Sequence, residues 1–201
     1  MDLEHAKTIL DTLYGDIDGY EISNIGRRSG EYPEKSFVYG EVAAESFYRI
    51  ISRLKPREGA VFYDLGAGTG KAVVLAHLLF PFRRSIGIEI VPTLYESAQG
   101  VLYRYRSEIE PHLGSRPGSI EFLLGDVMEK DFSDGDVVFM HSTCFEGGMM
   151  QRLQERLKAL KPGSRIVTVT KDLQGPEFTL VEHREYNMNW GQTTIYVYTR
   201  A

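Results

Sequence analysis

Apolar positions recur at helical spacing in the opening stretch DLEHAKTILDTLY, where Leu3, Ala6, Leu10 and Leu13 share one face. The pattern predicts an amphipathic first helix. From Gly15 to Gly40 periodicity fades and Gly, Asp, Ser and Arg dominate, so this stretch reads as a long loop, a lid or binding segment. Helical spacing returns in AAESFYRIISRLK through Phe47, Ile50, Ile51 and Leu54. Beyond Ala60 the pattern alternates. AVFYDL, SIGIEIV, SIEFLLGD, DVVFMHS and RIVTVT read as short apolar strands. Helices are expected from about Gly70 to Leu79, through Leu94, Ala98, Val101, Leu102 and Tyr105, and through Met150, Leu153, Leu157 and Leu160. Near-continuous apolar strands alternating with helices predict a parallel sheet covered on both faces, a doubly wound α/β fold. At the end, FTLVEHREYNMNW and TTIYVYTR flank GQ without a helix between them, which predicts an antiparallel hairpin at the sheet edge. No repeat or linker divides the chain. It reads as one domain, with helices and a lid loop over 1–58 and the core over 59–201.

Composition narrows the class. A chain of 201 residues is long enough for one well-cored domain. The formal charge of -5 argues against strong intrinsic nucleic-acid binding, because Arg27-Arg28 and Arg83-Arg84 are only pairs. The single cysteine, Cys144, leaves no internal disulfide framework and fits a reducing compartment. No apolar run approaches the ~18 residues of a membrane span, and MDLEHAKTIL has no signal-peptide layout. An intracellular location follows, with nucleus and cytoplasm undecided. Histidines 5, 77, 112, 141 and 183 lack zinc-ligand spacing, so no metal is expected. A Cys144–His141 nucleophile and base pair lacks an evident third, orienting group.

The chemistry concentrates in VFYDLGAGTGKAVVL, with Gly66, Gly68 and Gly70 at alternate positions behind an apolar strand. Such a strand–turn–helix junction presents unpaired backbone N–H groups at the carboxyl edge of the sheet. A phosphate, a nucleoside and a bare structural turn are the three candidates. The spacing is neither the dinucleotide G-x-G-x-x-G nor a P-loop. Glu89 follows Gly70 by nineteen residues and ends the second strand, where a carboxylate takes the ribose hydroxyls of NAD or S-adenosyl-L-methionine alike. Asp64 and Asp126 separate these two. Three carboxylates at the ends of three successive strands repel a pyrophosphate and attract a sulfonium with an ammonium. Asp126 is also placed for the adenine amino group. S-adenosyl-L-methionine is therefore the expected cofactor.

The hairpin after ALKPGSRIV resembles the end of the seven-stranded, Rossmann-like class I methyltransferases, whose last strand is inserted antiparallel. Within that class, FVYGEV, YDLGAGTGKAVV, IGIE, LLGDV and MNWGQTTIYVYT, spread from about Ser36 to Thr199, resemble the disruptor-of-telomeric-silencing family. These are non-SET enzymes that methylate a lysine of the nucleosome core. The resemblance implies a protein-lysine N-methyltransferase with a histone or nucleosome as partner. It implies that Tyr39, Gly40 and Glu41 close on the methionyl end of the cofactor. It adds Lys71 and Val127, inside matching motifs, to the cofactor contacts of Asp64, Gly66, Gly68, Gly70, Glu89 and Asp126. Trp190 and Tyr196 become the walls of an aromatic passage for the lysine, where packing of the hairpin is the plainer role. After the fourth strand the family reads Asn-Asn-Phe, whereas this sequence reads MHSTCF. His141 and Ser142 thus stand beside the cofactor and the lysine channel with altered donors and acceptors. In that place His141 can take the lysine proton through water. A small-molecule or non-histone methyltransferase and a non-catalytic cofactor-binding module are the alternatives, with an NAD-linked dehydrogenase the weakest.

Overall fold

The computed structural model describes residues 1–28, 40–114, 118–188 and 191–201. Seven strands form one sheet: β1 (Val61–Leu65), β2 (Arg84–Glu89), β3 (Ser119–Leu124), β4 (Val137–Met140), β5 (Arg165–Val169), β6 (Phe178–Met188) and β7 (Gly191–Arg200). Their spatial order is β3-β2-β1-β4-β5-β7-β6. Strands β1 to β5 pair in parallel, and β7 lies antiparallel between β5 and the edge strand β6. The helices are α1 (Leu3–Tyr14), α2 (Gly19–Arg28), α3 (Ala44–Leu54), α4 (Lys71–Leu79), α5 (Pro92–Arg104) and α6 (Gly147–Leu157).

Every residue of β1 is buried, as a strand covered on both faces requires. Its side chains alternate between two cores. Phe62 joins α1, α3, α4 and α5 on one face, where the Phe47 ring meets Phe62 at 5.9 Å and Phe139 at 5.5 Å between centroids. Val61, Tyr63 and Leu65 join α6 on the other. The doubly wound arrangement expected from the sequence is the one observed. The α1 stripe is also as expected, with Ala6, Leu10 and Leu13 buried and the Asp2 side chain accepting from His5 N at 2.9 Å to cap the helix.

Two expectations are corrected. Part of the supposed loop from Gly15 to Gly40 is α2. The Asp18 side chain caps it, accepting from Tyr20 N and Glu21 N at 3.0 Å each. The helix docks through small residues: Ser23 is buried, and a Cβ on Gly26 would lie 2.4 Å from Thr93 Oγ1. A face of Ser and Gly leaves no apolar period to read. The rest of that stretch, 29–39, lies outside the described residues. The second correction concerns the hairpin. Met188 pairs with Gly191, so Gly191 and Gln192 open β7 and are not the turn.

Candidate active site

Strand order reverses between β1 and β4, and in such sheets a ligand crevice opens beyond the carboxyl ends of the strands at that point. A cleft lies there. Gly66, Gly68, Glu89, Val91, Leu94, Asp126, Val127, His141, Phe145 and Met149 are among its lining residues. A smaller recess shares Gly40, Gly66 and His141 with the cleft and adds Glu41, Asp64 and Lys71.

The glycine turn corrects a further expectation, that its N–H groups are unpaired. Gly66 N and Ala67 N both donate to Ile88 O, at 2.9 and 3.0 Å, and Gly70 N donates to Ala67 O at 2.9 Å. Gly68 N donates to Glu89 Oε2 at 2.7 Å. At these four positions no N–H is left for a diphosphate. The glycines also divide their work. Gly66 and Gly68 line the cleft, with φ of 86° and 57°. Gly70 lines neither cavity: with φ of 86°, it seats α4 against β3, where a Cβ would lie 2.3 Å from Phe122 Cζ.

Glu89 is 6% exposed, and its second oxygen accepts from Val91 N at 2.8 Å. A carboxylate has about four acceptor sites, so the backbone bonds leave part of its capacity for a ligand. Burial pushes its pKa up, against the backbone bonds from Val91, Gly68 and Ile90. Asp64 is 3% exposed, and no donor among the described residues reaches its Oδ1. Burial, and then the neighbouring charge of Glu89, hold the Asp64 pKa well above the usual aspartate range. A buried carboxylate oxygen without a donor fits the ammonium of a ligand. Asp126 accepts from Met128 N at 2.8 Å, which fixes the turn after β3 and presents Val127 to the cleft.

His141 belongs to both cavities, and burial lowers its pKa to about 4. The imidazole is therefore neutral at pH 7. A Cβ on Gly40 would lie 2.7 Å from His141 Cε1, so only glycine lets the chain rest on this ring. Lys71, the first residue of α4, pairs with Glu41 and sits 5.1 Å from the centre of the Tyr14 ring.

Two expected residues stand elsewhere. Ser142 is fully buried and lines neither cavity, because its hydroxyl donates to Val169 O at 2.8 Å. Tyr196 also lines neither: on β7 it lies between the rings of His183 at 6.0 Å and Tyr198 at 6.4 Å. Tyr39 and Trp190 lie outside the described residues. Leu94, Phe145 and Met149 are cleft walls that the sequence did not mark. Phe145 carried a signal, a lone aromatic in the polar turn HSTCFEGG, whereas Leu94 and Met149 look like ordinary helix positions. Among the described residues no cluster of three or more His, Cys, Asp or Glu could hold a metal, and no helix is long and apolar enough to cross a membrane.

Comparison with known proteins agrees with this geometry. A Salinibacter ruber RNA methyltransferase, solved in complex with S-adenosyl-L-homocysteine, matches with a TM-score of 0.58 and 25% identity over 80% of this chain and 93% of that one. The sheet is thus the Rossmann-like sheet of class I methyltransferases. A Caenorhabditis elegans histone-lysine N-methyltransferase, H3 lysine-79 specific, is 34% identical over 148 residues, 69% of this chain and 15% of the relative. The match therefore spans only a small part of that protein's length. A Saccharolobus islandicus protein-lysine N-methyltransferase is 27% identical over 152 residues, 75% of this chain and 85% of that one. The profile described as histone methylation protein DOT1 matches residues 30–194, which takes in the glycine turn, all three strand-end carboxylates and His141. On that match, the chain belongs to the DOT1 histone methylation family.

Proposed function

We propose that this protein is an S-adenosyl-L-methionine-dependent methyltransferase acting on a lysine of a protein, with a histone or nucleosome as the first acceptor to test. The observation that carries the reading is the buried Asp64 Oδ1, without a donor among the described residues, beside a cleft where Gly66, Ala67 and Gly68 give their N–H groups to β2. That combination suits a cationic amino-acid end joined to a nucleoside and disfavours the diphosphate of NAD. The S. islandicus relative, matched over most of its length, favours a protein lysine as acceptor in general; the H3 lysine-79 relative supplies the narrower candidate.

When bound, the cofactor would supply a methyl group on a positively charged sulfur; a neutral lysine amine would take it in line as the sulfur–methyl bond breaks to leave a neutral thioether, and the surplus proton would pass to water. The chain's own residues do the rest by position. Asp64 holds the ammonium, and Lys71, paired with Glu41 in the same recess, is the cation offered to the carboxylate. Glu89 takes the ribose hydroxyls with the acceptor capacity its backbone bonds leave. Asp126 and Val127 bracket the adenine, while Leu94, Phe145 and Met149 exclude water. His141 presents an uncharged ring to the recess, so it does not repel the cationic centre. With a pKa near 4 it is a weak proton acceptor, and its main service is electrostatic. Tyr39 at the methionyl end, Trp190 and Tyr196 as lysine-passage walls, and Ser142 rest on the family resemblance alone.

The test is transfer of a labelled methyl group to nucleosomes, free histones, lysate proteins and a metabolite extract. Label on a lysine, located by mass spectrometry of the product, is the expected result. Label only in the metabolite fraction would replace the reading by a small-molecule methyltransferase, and tight cofactor binding with no transfer by a binding module.

A further inference from the structure

Among the described residues other than glycine, only Lys55 and Thr170 have positive φ, and Thr170 stands at the carboxyl end of β5, the strand beside β4. It follows β5 directly. Its φ is 70°, and Lys171 N donates to Val169 O at 2.8 Å across it. Those two features define a γ-turn of the rare, strained hand. A β-branched residue at positive φ is an outlier, and glycine would adopt the same turn freely. The side chain is exposed, so burial does not offset the strain.

The hydroxyl has partners instead. Thr170 Oγ1 lies 2.7 Å from Thr193 Oγ1 on β7 and 3.1 Å from Thr143 Oγ1. Thr143 is the middle of the short helical turn Ser142–Cys144, and the residues on either side of that turn, His141 and Phe145, both line the cleft. The same γ-turn holds this segment a second time, through Ser142 Oγ donating to Val169 O. It holds β7 a second time as well, through Thr170 N donating to Thr194 O at 2.8 Å. Three separate segments therefore meet on one strained residue.

We propose that Thr170 is a positioning residue for methyl transfer: its hydroxyl clasps the turn between His141 and Phe145 to the start of β7 and so fixes the wall of the cleft. The proposal rests on the methyltransferase reading. Strain kept where glycine would fit without it is the mark of a position selected for geometry.

The variants Thr170→Gly, Thr170→Val and Thr170→Ser separate the possibilities. Thr170→Gly relaxes the strain and removes the hydroxyl; Thr170→Val keeps the branched shape without the hydroxyl; Thr170→Ser keeps the hydroxyl. We expect Thr170→Gly to unfold within about 3 °C of the parent, since relief of strain opposes loss of the bonds. Its kcat should fall about 10-fold through loosened positioning, with the cofactor Kd within about threefold of the parent. Thr170→Val should lose the same activity, and Thr170→Ser should restore most of it. Equal kcat for Thr170→Gly and the parent, or failure of Thr170→Ser to rescue, overturns the proposal. Amide hydrogen exchange at 142–145 needs no acceptor and so separates this idea from the methyltransferase reading. Faster exchange in Thr170→Gly supports the clasp even if no acceptor is methylated, and unchanged exchange refutes it.

Discussion

Replacing Asp64 by Asn keeps the shape of the side chain and removes its charge. The carboxyl is 3% exposed, no donor among the described residues reaches Oδ1, and Glu89 adds like charge nearby. In the absence of cofactor that charge is therefore a burden on the fold. Its pKa is raised in the folded state, so the folded protein holds the proton more tightly than the unfolded chain does. The sign follows: stability is lost as pH rises from the ordinary aspartate value of about 3.9 through the raised folded value. Asp64→Asn abolishes that loss. A gain of about 1 kcal/mol would raise the unfolding midpoint by roughly 2–4 °C at this chain length. Cofactor binding should move the other way. One charge-assisted hydrogen bond in a buried site is worth about 1.5–3 kcal/mol, an affinity loss of about 10- to 150-fold. Binding to the parent protein should also release a proton where Asp64 is protonated beforehand, so affinity improves as pH rises. Calorimetry with S-adenosyl-L-methionine, in buffers of different ionisation enthalpy, reads affinity and proton release together. Methylthioadenosine, which lacks the amino-acid end, should bind parent and variant equally. Unchanged affinity for the full cofactor, or an equal loss for methylthioadenosine, would remove Asp64 from the ammonium site and with it the main support for the proposed function.

Two further substitutions probe the turn and the ribose position. In Glu89→Gln the amide can accept from only one of Gly68 N and Val91 N, leaving a buried donor unpaired at about 2 kcal/mol, roughly 4–8 °C in the midpoint. Unlike Asp64→Asn, it should weaken methylthioadenosine and the full cofactor alike, and a loss confined to the full cofactor would contradict the ribose assignment. Gly70→Ala meets positive φ and the Phe122 ring together, for about 3 kcal/mol of destabilisation read by urea unfolding. If its midpoint matches that of the parent, Gly70 is not the close-packing point between α4 and β3.

Local pattern in the sequence determined much of this protein. Apolar runs with a period of two or none, set between stretches of helical period, determined the five parallel strands and their covering helices, because burial on one or two faces writes itself into residue order. The placement of Asp64, Glu89 and Asp126 was legible for the same reason: each stands at or just past the end of an apolar run, and a parallel sheet brings those ends to one rim. Helix α2 was not legible, since Ser23 and Gly26 dock by smallness and leave no hydrophobic signal. The roles of the glycines were decided only by tertiary contacts. Whether Gly70 faces a ligand or the Phe122 ring depends on β3, fifty residues away along the chain. The same holds for the N–H groups committed to Ile88 and Glu89, and for Ser142, whose hydroxyl turns to β5 and away from the cleft. Hydrogen-bond partners distant in sequence are fixed by how strands register and loops cross, and those choices leave no trace in local order. The rim of strand-end carboxylates could be read from the sequence; which groups on it are already bonded within the protein was decided by the fold.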